Sequence, residues 1–363
     1  MSSKWRRRKK RLEDEDNYYY DGGPLWSRNA VISMVVGGRS MGKTYWAKAK
    51  FIDLYLEHGY QWVYLRRHAN TLDEFRKDGG AKLLSDVADE FPQHEMRVKG
   101  DLIQIRLKVD EDEKVKNQWQ TMGYLMSLAS FMQYKGTAYD AVRYILFDEF
   151  IREARGKAID RYLADEVGTF YSLYNTIDRM RDVVRVYMTA NAGDLVNPYF
   201  MTWKIGKPPA GFSRYNNGLI CLEYGGSARF MDHARGSKFA QLIQGSSYEA
   251  FAIENKFIND TPEFIADKPA GARCNAALSY LGKDYGVWRD IASGNMYVTG
   301  WAPKDAPCYA LMRADMRPNV ILLKRTEGLL RAWADMYRYG MMYFDSPMTK
   351  AAWSELMGLL GIN

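Results

Sequence analysis

The chain has 363 residues, is 47% apolar, 26% charged and 14% aromatic, and carries a formal charge of +7. At about 100–200 residues per domain, this predicts two folded domains and excludes a largely disordered chain. No stretch approaches the roughly 18 consecutive apolar residues of a membrane helix, and no apolar core follows the basic N-terminus, so a soluble protein with no membrane partner is expected. Cys221, Cys274 and Cys308 are scattered and the four histidines isolated, which argues against a disulfide framework or a structural zinc. The unbroken basic run Arg6 to Arg11 accounts for most of the excess charge. The rest is close to neutral and lacks the basic slab that binds DNA by bulk attraction.

Residues 1–24 read as a flexible tail: the basic block, an acidic block (Glu13 to Asp16), Tyr18 to Tyr20, and an Asp21-Gly22-Gly23-Pro24 breaker. Ala30 to Val36 has the β-branched, apolar character of a strand buried in a parallel sheet. A Gly-rich turn follows, then helical spacing from Tyr45 to His58. Gln61 to Arg67 predicts a second strand, and the alternation through Met96 to Ile105 predicts a hairpin over Lys99-Gly100-Asp101. Residues 110–116 form a charged loop. Val142 to Phe147 is another buried-strand pattern, a helix is expected over about Asp160 to Arg181, and Val183 to Met188 predicts a further strand. This alternation implies an α/β fold, a mostly parallel sheet with helices on both faces.

After about Lys204 the pattern becomes loop-rich, marked by Pro208-Pro209 and Gly225-Gly226, with a short candidate helix and linker over Ala234 to Ser247. Strands return over Ala276 to Leu281, Gly286 to Ile291 and Asn295 to Thr299, the last two joined through Ala292-Ser293-Gly294. Helical patterns at Gly328 to Tyr339 and Thr349 to Leu360 complete an α+β domain. The expected organisation is a tail (1–24), an α/β domain (25–230), a linker (231–262) and a C-terminal domain (263–363).

Gly37-Gly38-Arg39-Ser40-Met41-Gly42-Lys43-Thr44 satisfies G-x-x-x-x-G-K-[ST]. Phosphate oxygens require several backbone N–H groups converging on one concavity, and glycines allow the turn and the close approach. The following helix adds its positive dipole end. Lys43 is expected to bridge the β- and γ-phosphates of ATP, and the Thr44 hydroxyl to ligate Mg²⁺. Asp148 ends an apolar strand about a hundred residues later, where a carboxylate reaches the metal through its water shell. Glu149 beside it is placed to orient and deprotonate an attacking water. Asn191, at the end of the next strand, fits either a γ-phosphate sensor or an ordinary Asx turn. Arg179 and Arg181 are consistent with solvated arginines at a helix end or with a finger reaching a neighbour's nucleotide; Arg39, Lys135 and Arg152 are no better distinguished.

Val35 to Thr44, Val63 to Arg67, Glu90 to Glu95, Phe147 to Glu153, Thr176 to Arg181 and Val196 to Phe200 together resemble the DNA-packaging ATPases of phi29-like bacteriophages. The likeness runs from about residue 27 to the end. It implies an ASCE-type P-loop ATPase that hydrolyses ATP to drive double-stranded DNA into a prohead. It also implies a homomeric, pentameric ring in the host cytoplasm, transiently attached to the portal and possibly to a structural packaging RNA.

In that pattern Lys43 and Thr44 belong to the Walker A motif, Asp148 is the metal carboxylate, Glu149 is the catalytic one, and Arg179 is an arginine finger donated in trans. Lys135 corresponds to a second basic residue at the subunit interface. The C-terminal domain resembles a degenerate RNase H-like nuclease: the Gly286-Val287-Trp288 strand core presents no carboxylate between Asp284 and Asp290. The alternatives are a terminase-like protein with an active nuclease and a nucleotide-gated assembly scaffold without sustained turnover. Arg66, Arg67 and Lys99 are candidates for the DNA channel, with solvated surface the plainer expectation for each.

Overall fold

A computed structural model describes residues 19–108, 118–152, 162–163, 165–193, 195, 197–226, 228–246, 249, 257, 264–324 and 328–359. The charged loop expected at 110–116 and the basic and acidic blocks of the tail lie outside them. The chain divides into two compact units, Met1–Gly193 with Pro208–Lys256, and Asp194–Lys207 with Phe257–Asn363. No helix among the described residues is long and apolar enough to cross a membrane.

The first unit is built on nine strands: β1 (Ile32–Val36), β2 (Gln61–Arg66), β3 (His94–Lys99), β4 (Leu102–Leu107), β5 (Gln120–Ser127), β6 (Val142–Asp148), β7 (Arg185–Ala190), β8 (Gly211–Tyr215) and β9 (Ile220–Tyr224). They lie in the order β3-β4-β5-β2-β6-β7-β1-β9-β8. From β5 to β9 every neighbouring pair is parallel. The two edges close as antiparallel hairpins. All of β1 is buried, which is why its sequence is apolar at every position but Ser33 rather than alternating.

Four helices of this unit are α1 (Lys43–His58), α2 (Asn70–Lys77), α3 (Ala81–Ala88) and α4 (Glu166–Asp178). Helix α1 buries Trp46, Ala47, Ala49, Phe51, Ile52 and Leu54. Its Phe51 ring stacks 5.0 Å from Tyr144 of β6. Gly59 closes the helix at φ 72°, donating its N–H to the Tyr55 carbonyl, a left-handed cap that favours glycine.

Three expectations change. The tail is anchored before residue 24: Tyr20 is buried, its hydroxyl donates to Glu223 at 2.7 Å and lies 2.9 Å from the Tyr187 hydroxyl, and its N–H donates to the Met41 carbonyl at 2.8 Å. The loop-rich passage after Lys204 contains β8 and β9, and β9 pairs directly with β1. Strand β5 and the short 3-10 segment Leu128–Tyr134 stand where no element is expected. The candidate helix expected over Ala234 to Ser247 is present as Lys238–Ile243, and a further helix, Ala228–Arg235, runs across the expected boundary at residue 230.

The second unit carries β10 (Arg273–Tyr280), β11 (Lys283–Arg289), β12 (Met296–Thr299), β13 (Cys308–Ala310), β14 (Val320–Leu322) and β15 (Met342–Phe344), with α5 (Gly328–Arg338) and α6 (Pro347–Leu359). The sheet order is β14-β13-β10-β11-β12-β15. Strands β10, β11 and β12 form an antiparallel meander, to which β13, β14 and β15 add in parallel. Trp333 of α5 and Trp353 of α6 meet edge to face at 5.6 Å over Leu278, Val287 and Val298.

The Asn197-Pro198-Tyr199-Phe200 motif has a structural role in this unit. Asn197 accepts the Phe200 N–H at 3.0 Å, capping the short helix Pro198–Thr202, and Pro198 occupies the first turn. Tyr199 and Phe200 are fully buried.

Candidate active site

The sheet topology assembles the site. Strands β1, β7 and β6 are consecutive neighbours in the middle of the sheet, and the P-loop, Asn191 and Asp148 follow or end them at their C-terminal ends. At the start of the loop, a Cβ on Gly37 would lie 2.1 Å from the Gly225 carbonyl, so no side chain fits there. Gly42, at φ 99°, precedes the first turn of α1 and supplies a backbone form that L side chains rarely adopt.

Lys43 is buried. Its ammonium donates to the Gly37 carbonyl at 3.1 Å, the Gly38 carbonyl at 2.5 Å and Asn191 Oδ1 at 3.0 Å. The charge is therefore held across the loop, between its backbone and the strand-end amide. Arg39 and Ser40 are exposed at the tip, Ser40 at φ 62°, while Met41 packs inward.

Asp148, the last residue of β6, lies in register beside Thr189 of β7. Its Oδ1 accepts from Thr44 at 2.8 Å and Thr189 at 2.5 Å, and its Oδ2 from Tyr64 at 2.7 Å and Arg66 at 3.0 Å. Burial would raise its pKa, but Arg66 and the three hydroxyl donors together outweigh it and hold the carboxyl below its ordinary value. Burial likewise disfavours a charged Arg66, and the Tyr64, Asp148 and Glu149 oxygens reverse that.

Glu149 adopts φ 56°, a left-handed backbone that costs a non-glycine residue about 1–3 kcal/mol and tends to occur at functional sites. Its side chain is 62% exposed and is paired with Arg66.

The Thr44 hydroxyl and the Asp148 carboxylate are hard oxygen donors already adjacent to each other. This set suits Mg²⁺, which is usually held by one or two protein oxygens and completes its shell with water and phosphate. Among the described residues no group of three or more His, Cys, Asp or Glu side chains is placed to hold a metal by itself.

Arg66 and Arg67 are not solvated channel residues. Arg66 is turned onto the two carboxylates, and Arg67 is buried beside Glu166, its Nε donating to both carboxylate oxygens at 3.0 and 2.8 Å. The same guanidinium donates to the Phe150 carbonyl at 2.6 Å, so it supports the chain immediately after Glu149. Lys99 is exposed at the β3–β4 turn.

Arg179 stands elsewhere. It caps α4 at φ 50° and precedes β7, whereas the P-loop, Asp148 and Asn191 are found where their strands finish. Its Nη2 donates to the Thr137 carbonyl at 2.8 Å, two residues beyond Lys135. Lys135 is itself exposed, its ammonium 5.0 Å from the Phe131 ring centroid. Arg181 donates to the Ile177, Asp178, Tyr139 and Asp140 carbonyls, and Arg152 lies over the Tyr162 ring.

Asp178 fixes this corner. Its carboxylate accepts the backbone N–H groups of Asp182, Val183 and Val184, each at 3.0 Å. Burial opposes the charge, but these three bonds prevail and lower its pKa. Tyr64, Arg66, Asp178, Thr189 and the Arg67–Glu166 pair have no local sequence signature, since each partner comes from a distant segment or from the backbone. The one available signal was positional: Tyr64 and Arg66 end a strand next to β6.

The sequence is 30% identical to the DNA packaging protein of Bacillus phage phi29 over 94% of this chain and 98% of that protein. It is also 30% identical to the DNA packaging protein of Bacillus phage B103, over 92% and 98%. The fold matches a chain of the bacteriophage phi29 viral genome packaging motor assembly at a TM-score of 0.71, with 28% identity and coverage of 94% and 99%. Residues 14–359 match the family of podovirus DNA encapsidation proteins (Gp16), and over that span the chain belongs to it.

Proposed function

We propose that the chain is the ATP-hydrolysing subunit of a viral DNA-packaging motor, working as a homomeric ring on double-stranded DNA at a prohead portal. The observation that carries this is the convergence of Lys43, Thr44, Asp148 and Asn191 at the C-terminal ends of neighbouring central strands, with Glu149 next to them. The relatives' role in DNA packaging supplies the substrate.

In this mechanism Gly37 to Thr44 bind the triphosphate, with backbone N–H groups on its oxygens and Lys43 toward the β- and γ-phosphates. Thr44 and Asp148 hold Mg²⁺, which neutralises developing phosphate charge when bound. Glu149 orients the attacking water and accepts its proton. Asn191, already bonded to Lys43, senses the γ side. Arg66, on the Oδ2 of Asp148 and on Glu149, positions both carboxylates and leaves the Thr44 side of Asp148 as the side that would face a metal.

Arg179, at the opposite ends of the strands from its own P-loop, serves a neighbouring subunit's nucleotide, with Lys135 beside the same corner. Turnover then needs two chains. The second unit acts as a docking module without nuclease chemistry. Asp284 is paired with Arg317, and Asp290 accepts the Ser293 hydroxyl at 2.6 Å and the turn's N–H groups.

The deciding measurement is steady-state ATPase activity with and without long duplex DNA. Glu149→Gln should abolish DNA-stimulated turnover while ATP still binds, and mixing it with Arg179→Ala subunits should restore part of the rate. Undiminished turnover in Glu149→Gln would overturn the mechanism. Plasmid cleavage by the full chain with Mn²⁺, lost in Asp284→Ala, would instead favour an active nuclease.

A further inference from the structure

The P-loop accounts for the phosphates, and nothing described so far receives the base. We propose that the Tyr19 ring, backed by Phe230, is the stacking platform for the nucleobase of the bound nucleoside triphosphate. This rests on the P-loop reading above and extends it to the other end of the ligand.

Direction comes first. The γ-phosphate must face Asp148 and Glu149, which lie beyond β7 on one side of β1. The base end of the ligand therefore leaves the loop on the other side of β1, where β9 lies. Gly225, just past β9, donates its N–H to the Val36 carbonyl at 2.9 Å, and the helix Ala228–Arg235 that carries Phe230 follows it.

Position comes second. Tyr19 packs on the loop at Gly42: a Cβ there would sit 3.7 Å from the Tyr19 ring. The Tyr19 and Phe230 centroids are 6.3 Å apart with planes inclined by 37°. Phe230 is buried, whereas Tyr19 keeps 53% of its surface exposed. The platform is also fixed. Tyr20 ties the segment to the Met41 carbonyl and buries its own hydroxyl against Tyr187 and Glu223. An aromatic held rigidly beside a phosphate loop gives a base a π-face at little ordering cost.

Stacking is tolerant of base identity because every base has a π-face. The platform is therefore expected to add affinity for the nucleoside end of any triphosphate, more for purines than for pyrimidines. The test uses ATP, CTP and inorganic tripolyphosphate as separate probes, with binding to the full chain followed calorimetrically. Tyr19→Ala should weaken ATP about tenfold, weaken CTP less and leave tripolyphosphate unchanged, while Tyr19→Phe retains wild-type affinity for all three. Phe230→Leu should give a smaller loss confined to the nucleotides.

Unchanged ATP affinity in Tyr19→Ala would overturn the platform. So would an equal loss of ATP and tripolyphosphate, because the side chain would then be acting on the loop rather than the base. Failure of the wild-type chain to bind either ATP or tripolyphosphate would overturn the P-loop reading itself, and the platform with it.

Discussion

Arg66 and Asp148 share a hydrogen bond of 3.0 Å, and the same guanidinium holds Glu149. One cation thus restrains both carboxylates to which the proposed mechanism gives metal binding and water activation. Replacing it exposes what it does. In Arg66→Gln, burial of Asp148 is no longer opposed by the guanidinium charge, so its pKa rises. The acid limb of the ATPase pH profile should move toward neutral pH, and folding stability should fall by about 2 kcal/mol. A profile superimposable on that of the wild type would refute the role of Arg66.

The depressed Asp148 pKa also sets a stability window. The group binds its proton less readily folded than unfolded, so it contributes stability above its ordinary value of 3.8, and that contribution disappears as pH falls through the lower folded value. Asp148→Asn should therefore unfold with a weaker pH dependence below about pH 4. Chemical denaturation at several pH values reads this directly.

Arg67 and Glu166 form a buried pair 99 residues apart in the chain. Removing one partner leaves an uncompensated buried charge, so Glu166→Ala should destabilise the fold by about 3–5 kcal/mol. The double change Arg67→Met with Glu166→Leu should recover much of that loss. Turnover should recover less, because the bond from Arg67 to the Phe150 carbonyl, next to Glu149, is also gone.

Asp178 predicts a stability loss coupled, in the proposed ring, to a defect in what Arg179 does for a neighbouring subunit. Asp178→Ala leaves three backbone N–H groups without their acceptor, a cost of about 3 kcal/mol. It also releases the turn that presents Arg179. Mixed with Glu149→Gln subunits, it should rescue less ATPase activity than its folded fraction permits; rescue in full proportion to that fraction would remove Asp178 from the positioning of Arg179.

The anchored Tyr20 gives a truncation test. A chain beginning at Leu25 should be less stable than one beginning at residue 19 by about 3 kcal/mol, the usual cost of losing a large buried aromatic. Equal thermal midpoints would show that the Tyr20–Tyr187–Glu223 cluster contributes nothing.

Much of the first unit was legible because its central strands are covered on both faces. Full burial makes Ile32–Val36 apolar at every position but Ser33 and the residues Ile145 to Phe147 before Asp148 wholly so, and the P-loop is a contiguous motif whose backbone requirements dictate its residues. The strands that were missed have weaker signatures. Strand β5 carries Gly123, where a Cβ would lie 2.5 Å from the Trp62 carbonyl, so close approach replaced the expected β-branched residue. Strand β9 is five residues long and runs directly into Gly225-Gly226, which made a strand adjoining β1 look like loop. The clamp on Asp148 was illegible for a different reason. Tyr64, Arg66 and Thr189 become its neighbours only through the order β2-β6-β7, and no spacing in the sequence encodes that order.

Strand β7 joins two places that are far apart in the fold. It begins just after the Asp178 turn and Arg179, and it finishes at Thr189, which touches Asp148, and Asn191, which touches Lys43. A strand paired on both sides resists stretching and slipping, so a load applied at its start is felt at its finish. If, as proposed, a neighbouring chain grips or releases Arg179, the disturbance travels along a single rod to Asp148 and Lys43 together. The same short segment is then both the handle by which one subunit is held and the gauge by which its own nucleotide is read.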